Sequence, residues 1–312
     1  MGTPAFAVPV LEALVRAGHD VALAVCQPDK PKGRGRKLAP PPVKEKALEL
    51  GLEVFQPERL RDHEAAGRIA AAKPDVMVVA AYGKILPQNI LDIPPKGCLN
   101  VHASLLPAYR GAAPINWAII NGETKTGITI MKMDAGMDTG DMLMTEEEPI
   151  LADDTAGSLT GRLSELGARV IIRALEELEA GRLNAVKQDE SKATMAPMLK
   201  KEMGRINWDR SAAEIERLVR GFDPWPGAFT TLRGETLKIW ETEVTPPSVP
   251  PLSLRGGMGG VITSCSKAGI AVATGEGVLI IRELQPQGGR VMKAAEYLAG
   301  HKFQPGEKLG GQ

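Results

Sequence analysis

Three polar side chains of this sequence could do chemistry together: the amide of Asn100, the imidazole of His102 and the carboxylate of Asp138. An amide N–H donates to an oxyanion without titrating, whereas an imidazole exchanges protons near neutral pH. A carboxylate can orient that imidazole or stabilise a cationic amine as it loses its proton. Each side chain also has a purely structural interpretation, as a solvated strand end, a hydrogen-bonded buried histidine or a loop-capping aspartate.

A buried strand must position the first two of these residues. The run Leu99–His102 is typical of the end of such a strand, and alternation places Asn100 and His102 on the same face. Polar groups at the carboxyl end of a strand lie where open α/β sheets bind ligands. Asp138 follows in the loop Asp134–Asp141, whose glycines allow its backbone to approach a cleft.

Around this strand, apolar runs alternate with helical patterns. Asp20–Cys26 is predicted to be a buried strand, and the continuous apolar run Asp75–Ala80 is typical of a strand buried on both faces of a parallel sheet. Leu and Ile recur at helical spacing between residues 155 and 181, which predicts a long helix. The sequence therefore predicts an α/β domain over residues 1–182, with a mostly parallel, doubly wound sheet covered by helices.

The pattern changes after residue 182. Residues 183–202 show weak periodicity, and we predict a linker there. A helix at Ala212–Arg220 is then followed by short strand-like runs that Gly and Pro separate. We therefore predict a small β-barrel domain over residues 203–312.

The composition is that of an ordinary globular protein, with 312 residues of which 43% are hydrophobic and 24% charged, and no net charge. This length favours two domains. Because the net charge is zero, an argument for nucleic-acid binding has to be local. The three cysteines, Cys26, Cys98 and Cys265, are scattered without metal-ligand spacing, which indicates a reducing cytosol and no metal site. No segment is long and apolar enough to span a membrane.

One local basic cluster lies in the segment 27–42, which is rich in Pro, Gly and positive charge. Long loops inside compact domains are usually functional or disordered. The five cations of this segment have no acid between them: Lys30, Lys32, Arg34, Arg36 and Lys37. The residues alone allow two interpretations, a basic arm that meets a phosphate backbone and a solvated flexible loop.

Four motifs occur in an order that resembles one enzyme family. Asn100-Val101-His102 is followed by SLLP from Ser104, YRGAAPI from Tyr109 and DTGD from Asp138. In order and spacing, the chain resembles the formyltransferases that use 10-formyltetrahydrofolate, and within them the members that act on methionyl-tRNA. The likeness extends from Gly2-Thr3-Pro4 to about Leu284.

The resemblance implies transfer of a formyl group from 10-formyltetrahydrofolate to the α-amino group of initiator methionyl-tRNA, for translation initiation. It implies a catalytic set of Asn100, His102 and Asp138. It implies a folate-binding segment formed by Ser104, Leu105, Leu106 and Pro107. Because the family uses the basic loop on the acceptor end of tRNA, the expected tRNA-binding residues are Lys30, Lys32, Arg34, Arg36 and Lys37. We further expect a cytoplasmic monomer without a metal, whose C-terminal barrel binds tRNA.

The family also has an apolar strand ahead of the Gly2-Thr3-Pro4 turn, whereas this sequence begins at the turn. We expect either a sheet without its first strand or a start that is misassigned or truncated. A missing central strand would leave backbone groups of its neighbours unpaired, at ~1–3 kcal/mol for each buried group.

Three alternatives remain open. A formyltransferase that acts on a small amine, such as a purine precursor or an amino sugar, would share the catalytic residues but needs neither the basic loop nor the β-rich tail. An RNA-binding protein with a degenerate α/β domain would show no folate dependence. A nucleotide-dependent oxidoreductase has the weakest support, because the sequence has no G-x-G-x-x-G spacing.

Overall fold

The structure, a computed structural model, describes residues 1–32, 37–245, 259–303 and 306–310. The chain forms two compact units. Unit 1 comprises Met1–Pro114, Lys125–Pro149 and Leu159–Pro197, and unit 2 comprises Ile115–Thr124, Ile150–Ser158 and Met198–Gln312.

Unit 1 is built from short strands and helices that alternate along the chain. Its strands are β1 (Ala24–Val25), β2 (Lys30–Lys32), β3 (Lys37–Ala39), β4 (Val54–Phe55), β5 (Met77–Val79), β6 (Cys98–His102), β7 (Arg110–Gly111), β8 (Lys125–Lys132), β9 (Met142–Pro149) and β10 (Met195–Ala196). The helices of unit 1 are α1 (Val8–Arg16), α2 (Pro42–Glu49), α3 (His63–Ala71), α4 (Gln88–Leu91) and most of α6 (Ala156–Glu179), whereas α5 (Pro114–Asn121) lies in unit 2 from Ile115 onwards. This alternation confirms the predicted α/β class.

The main sheet of unit 1 is mixed, so the prediction of a mostly parallel sheet was wrong in this respect. Its strand order is β5-β6-β8-β9, with β5 and β6 parallel and the two other pairs antiparallel. Residues 133–141 join β8 to β9, and this loop is too short for the crossover that parallel strands require. The apolar run in β8 indicates burial, which is compatible with either strand direction.

A second, two-stranded parallel sheet pairs β1 with β4. Residues Met1 and Gly2 lie between β1 and β5. The Met1 amine donates to Val78 O at 2.6 Å, Met1 O accepts from Ala80 N at 2.9 Å, and Gly2 N donates to Val25 O at 2.9 Å. A cavity of about 390 Å³ adjoins them, and its apolar lining includes Val10, Leu11, Leu14, Met77, Leu175 and Leu178.

Unit 2 contains an antiparallel sheet with the order β11-β12-β15-β14-β13, and β16 pairs with β15. The strands are β11 (Ala228–Leu232), β12 (Glu235–Val244), β13 (Ile262–Ser266), β14 (Gly269–Ala273), β15 (Val278–Pro286) and β16 (Met292–Lys293). The helices are α7 (Ala212–Gly221) and α8 (Ala294–Gly300).

The core of unit 2 lies between this sheet and its helices. Inward-facing residues of the strands, such as Leu237, Ile239 and Ile281, cluster with Ile215 and Val219 of α7. Helix α7 starts with a capping box, in which Ser211 Oγ accepts from Glu214 N and Glu214 accepts from Ser211 N. This unit therefore has its own apolar core.

Residues 183–197, within the segment for which we predict a linker, pair with unit 1. Val186 and Met142 exchange two backbone hydrogen bonds of 2.9 and 2.8 Å, and β10 pairs in parallel with β7. The chain after α6 thus passes along the loops that follow β6 and β8. Among the residues described, no helix has both the length and the apolar character needed to cross a bilayer.

Candidate active site

Asn100 and His102 lie on one face of β6, as strand alternation predicts. Asn100 pairs with Val79 of β5 and Met131 of β8, and His102 pairs with Thr129. Asn100 and His102 are buried, with 9% and 5% of their surface exposed. Val101 between them lies against helix α6, where a Cβ on Gly167 would come within 2.8 Å of Val101 Cγ1. Helix α6 therefore supports the strand from the face opposite the two polar side chains.

Asp138 lies in the loop between β8 and β9. Asp134 organises this loop by accepting hydrogen bonds from Gly136 N at 3.0 Å and Thr139 Oγ1 at 2.8 Å. A side chain at Gly140 would collide with the carbonyl of Lys132, so the loop requires a glycine there. Asp138 itself has φ of +55°, in the left-handed region that most residues avoid.

The structure brings Asn100, His102 and Asp138 together. Asp138 Oδ2 lies 3.6 Å from His102 Nδ1, and Asp138 Oδ1 lies 3.5 Å from Asn100 Nδ2. The carboxylate also accepts a hydrogen bond of 2.8 Å from the backbone N–H of Gly111. The side chain of Asp138 is 17% exposed and that of His102 is 6% exposed, so solvent reaches the carboxylate more readily than the imidazole.

The contacts of His102 constrain where its proton lies. Nε2 is 3.0 Å from the carbonyl oxygen of Tyr109, so this nitrogen must carry a proton to make the hydrogen bond. With that tautomer, the lone pair of Nδ1 in the neutral ring faces the Asp138 carboxylate. A second proton on Nδ1 would have that carboxylate as its acceptor. The pair is thus arranged to hold a proton that arrives from a substrate.

The segment Ser104–Pro107 is anchored by hydrogen bonds to Ala108 and to Thr129 of β8. Ser104 Oγ donates to Ala108 O at 2.7 Å, and Thr129 Oγ1 both donates to Ser104 O and accepts from Leu106 N. Ser104 and Leu106 are buried, whereas Leu105 and Pro107 are half-buried. A flat ring would therefore meet apolar side chains here, since the Ser104 hydroxyl and the Leu106 amide already have partners.

The basic segment forms a hairpin where the structure describes it. Strands β2 and β3 pair in antiparallel register, with Lys30 opposite Ala39 and Lys32 opposite Lys37. Lys30 and Lys37 are exposed, and Lys30 Nζ donates to Gln27 Oε1 at 2.6 Å. Arg34 and Arg36, two of the predicted tRNA-binding residues, lie outside the described residues.

The Asp138 loop is held by a side chain that was not among the predicted site residues. Gln188 Nε2 donates to the carbonyls of Asp138 and Gly140, both at 2.8 Å. Buried Arg110 donates to Gln188 Oε1 and forms an ion pair with Glu190. This ion pair raises the pKa of Arg110 and lowers that of Glu190. A run of polar residues without periodicity gave no signal that Gln188 contacts this loop.

The two buried cysteines are poor nucleophiles. Cys26 and Cys98 are buried, and burial raises the pKa of each thiol to about 11. A thiol with this pKa is almost entirely protonated at neutral pH. Cys265 is exposed in unit 2. In the part of the chain that the structure describes, no cluster of three His, Cys, Asp or Glu side chains is arranged to hold a metal ion.

Two family profiles together match most of the chain. Residues 1–175 match the sequence profile of formyl transferases, and residues 198–302 match that of the formyl transferase C-terminal domain. The chain belongs to the formyl transferase family. A methionyl-tRNA formyltransferase of Acetivibrio thermocellus is 52% identical to it over 310 residues, which cover 99% of this chain and 98% of the relative.

Solved structures show the same fold at low identity. WlaRD, described as a sugar 3N-formyl transferase, matches with a TM-score of 0.63 at 17% identity, over 90% of this chain and 94% of that one. HypX from Aquifex aeolicus matches with a TM-score of 0.62 at 19% identity, over 96% of this chain. This chain spans 47% of the HypX chain.

Proposed function

We infer that this protein transfers the formyl group of 10-formyltetrahydrofolate to the α-amino group of methionyl-tRNA, with the initiator tRNA as its substrate. The observation that carries this inference is the full-length similarity to methionyl-tRNA formyltransferases, at 52% identity over 99% of the chain. Three side chains suited to acyl transfer between nitrogens also come together in unit 1, where the Asp138 carboxylate lies 3.6 Å from His102 and 3.5 Å from Asn100. This reaction makes the protein a one-carbon transferase that serves translation initiation.

The chemistry begins with loss of a proton from the α-amino group, which in free form titrates near ~8. The neutral nitrogen attacks the formyl carbon, a new C–N bond forms, and the carbonyl electron pair moves onto oxygen. Collapse of this oxyanion restores the C=O bond and breaks the bond to the folate nitrogen. That nitrogen leaves with a proton equivalent to the one that the amine lost, so no oxidant, metal or covalent enzyme intermediate enters the balance.

Each member of the set has one task in this scheme. Asn100 Nδ2 donates to the oxyanion. Its contact with Asp138 is long at 3.5 Å, so this amide can turn to a substrate oxygen. Asp138 faces the substrate amine and attracts it while it is cationic. His102 takes the proton on Nδ1 and returns it to the leaving nitrogen. The half-buried Leu105 and Pro107 form an apolar wall for the folate ring system, on a segment whose shape Ser104 and Leu106 fix.

The basic hairpin and unit 2 serve the tRNA in this proposal. Lys30 and Lys37 are exposed cations, and we assign phosphate contacts to them together with Lys32, Arg34 and Arg36. We assign residues 1–182 to catalysis, 183–202 to a linker and 203–312 to a tRNA-binding β-barrel. Support for a barrel comes from the apolar core that the antiparallel strands of unit 2 share. A monomer that works in the cytoplasm fits this substrate.

We also propose that the unit 1 sheet is a doubly wound sheet with an open strand position between β1 and β5. The supporting observation is the apolar cavity of about 390 Å³ there, beside backbone contacts of Met1 and Gly2 to both flanking strands. An extended apolar peptide that fills this position would raise the melting temperature as its concentration rises. A melting temperature that does not change with peptide would contradict the proposal.

Formylation of different acceptors tests the proposed function. The purified protein is incubated with 10-formyltetrahydrofolate and, in parallel, with initiator methionyl-tRNA, free methionine or an amino sugar nucleotide. We expect formylmethionyl-tRNA to form in the first reaction alone. Formylation of the sugar amine or of free methionine at a comparable kcat/KM would favour a small-amine formyltransferase. No formyl transfer to any acceptor would contradict the enzyme assignment.

A further inference from the structure

The backbone of Asp138 has a conformation that needs support from its surroundings. Its φ of +55° lies in the left-handed region, which strains a residue that has a side chain. The neighbouring residues Asp134 and Met137 are exposed, so packing gives this part of the loop little restraint. Other contacts must therefore keep the carboxylate within reach of His102.

Gln188 provides such contacts from a different part of the chain. Its Nε2 donates to the carbonyl of Asp138 and to that of Gly140, each at 2.8 Å. The two acceptors lie on either side of Thr139, so one side-chain amide uses both of its N–H groups to fix the backbone on which the Asp138 side chain is mounted. Both of these hydrogen bonds go to the backbone, and neither goes to the Asp138 carboxylate.

Arg110 sets the orientation of that amide. Arg110 Nε and Nη2 donate to Gln188 Oε1 at 3.0 and 2.8 Å, and a guanidinium can only donate. A flipped amide would turn its N–H groups towards the cation, so the orientation with oxygen facing Arg110 is the only one that satisfies both sides. Arg110 is buried, and its backbone N–H donates to Thr194 O at 2.8 Å, which ties the two segments together.

We propose that Gln188, oriented by Arg110, is a positioning residue that holds the Asp138 loop in the geometry needed for formyl transfer. Gln188, which lies in the segment for which we predict a linker, then supports the geometry of the active site in unit 1. This inference rests on the proposed function and deepens it, since it names a residue on which the reaction rate depends without contact with the reacting atoms.

The variant Gln188→Glu tests the proposal most directly. Glutamate keeps the length of the side chain and its acceptors for Arg110 but has no N–H to donate to the two carbonyls. We expect kcat to fall by roughly 10- to 100-fold, because small misplacements of a reacting group have effects of this size, while the KM for the folate substrate changes by less than about threefold. The matched control is Asp189→Asn, whose side chain contacts Ser191 and Lys192. We expect that control to keep the wild-type kcat.

A double-mutant cycle separates positioning from general damage to the fold. If Gln188 acts through Asp138, then adding Gln188→Glu to an Asp138→Asn protein should lower kcat by less than about threefold more. A loss that is equal in both backgrounds, or a Gln188→Glu protein with wild-type kcat, would overturn the proposal. Where Gln188→Glu does not fold, Gln188→Met replaces it, since Met has a similar volume and no donor.

A measurement without turnover distinguishes failure of this inference from failure of the proposed function. The imidazole NMR signals of His102 sense the Asp138 carboxylate. We expect them to move in Gln188→Glu protein and to stay in place in Asp189→Asn protein. Unmoved signals in both would overturn the positioning role, even where wild-type protein formylates methionyl-tRNA. If the His102 signals move in Gln188→Glu protein but wild-type protein does not formylate methionyl-tRNA, the positioning role stands and the proposed function is contradicted.

Discussion

Unit 1 gathers five buried polar side chains around the end of β6, whereas the buried threonines of unit 2, Thr230 and Thr274, each bond to partners of their own. The unit 1 group consists of Asn100, His102, Ser104, Arg110 and Thr129. In unit 2, Thr230 of β11 accepts a hydrogen bond from Trp208 at 3.0 Å, and Thr274, which follows β14, lies 2.7 and 2.8 Å from the carbonyl oxygens of Glu276 and Gly277. Each of these threonines has a short, complete contact.

The difference lies in how well the contacts are completed. Around Asp138 the separations to His102 and Asn100 are 3.6 and 3.5 Å, which is longer than most hydrogen bonds. A buried polar group that lacks a full partner costs about 1–3 kcal/mol. A protein retains such a cluster where a substrate completes its contacts, so the long separations around Asp138 indicate that the chemistry takes place in unit 1.

The largest contrast should come from two histidines, one in each unit. We expect His102→Ala to lower kcat by about 10²- to 10⁴-fold, because it removes the proton carrier. His301 of unit 2 stacks on Tyr297 at a centroid distance of 4.0 Å and provides the matched control. Steady-state formylation by His301→Ala protein should show the wild-type kcat. Similar losses in both variants would remove the distinction between the units.

Two asparagines give the next contrast. We expect Asn100→Ala to lower kcat by about 10²- to 10³-fold, with little change in the affinity for folate, because it removes a donor to the oxyanion. Asn116 of unit 2 donates to Gly221 O at 2.8 Å, and Asn116→Ala should instead lower the free energy of unfolding by about 1–3 kcal/mol. Steady-state formylation and folate binding measure the effects of Asn100→Ala, and denaturant titration measures the free energy of unfolding of Asn116→Ala protein. An equal loss of turnover and folate affinity in Asn100→Ala would contradict the oxyanion role.

The smallest effect concerns the basic segment of unit 1. We expect the double variant Arg34→Ala/Arg36→Ala to bind tRNA more weakly and with a flatter salt dependence, by a slope of about 1 to 2 in log K against log salt. The control removes two exposed charges elsewhere in unit 1, Arg16 and Lys192, whose side chains are 79% and 75% exposed. Unchanged tRNA binding in the first variant would rule out a phosphate-binding role.

Much of this arrangement is visible in the sequence. Strand alternation places Asn100 and His102 on one face, and the glycines of the Asp138 loop indicate a close backbone approach. Hydrophobic periodicity predicts the α/β order and the β-rich second unit. These patterns are local, since they depend on neighbours within a few residues.

The rest depends on contacts that have no local signature. Gln188 lies 50 residues from Asp138, and a side chain that bonds to a backbone carbonyl requires no particular residue type at the acceptor position. Strands β8 and β9 run antiparallel because a short loop joins them. An apolar run indicates that a strand is buried but does not indicate its direction. The pairing of Lys32 with Lys37 likewise follows from the hairpin, whereas the composition of that segment suggested only a loop.

A single-turnover measurement with Asp138→Asn protein tests the central claim most directly. Asparagine retains an oxygen for the Gly111 amide but removes the negative charge that faces His102 and the substrate amine. With both substrates bound at saturation, we predict formyl transfer at least about 100-fold slower than in wild-type protein, with unchanged affinities for folate and tRNA. Transfer at the wild-type rate would contradict the account, because the carboxylate would then have no part in the reaction.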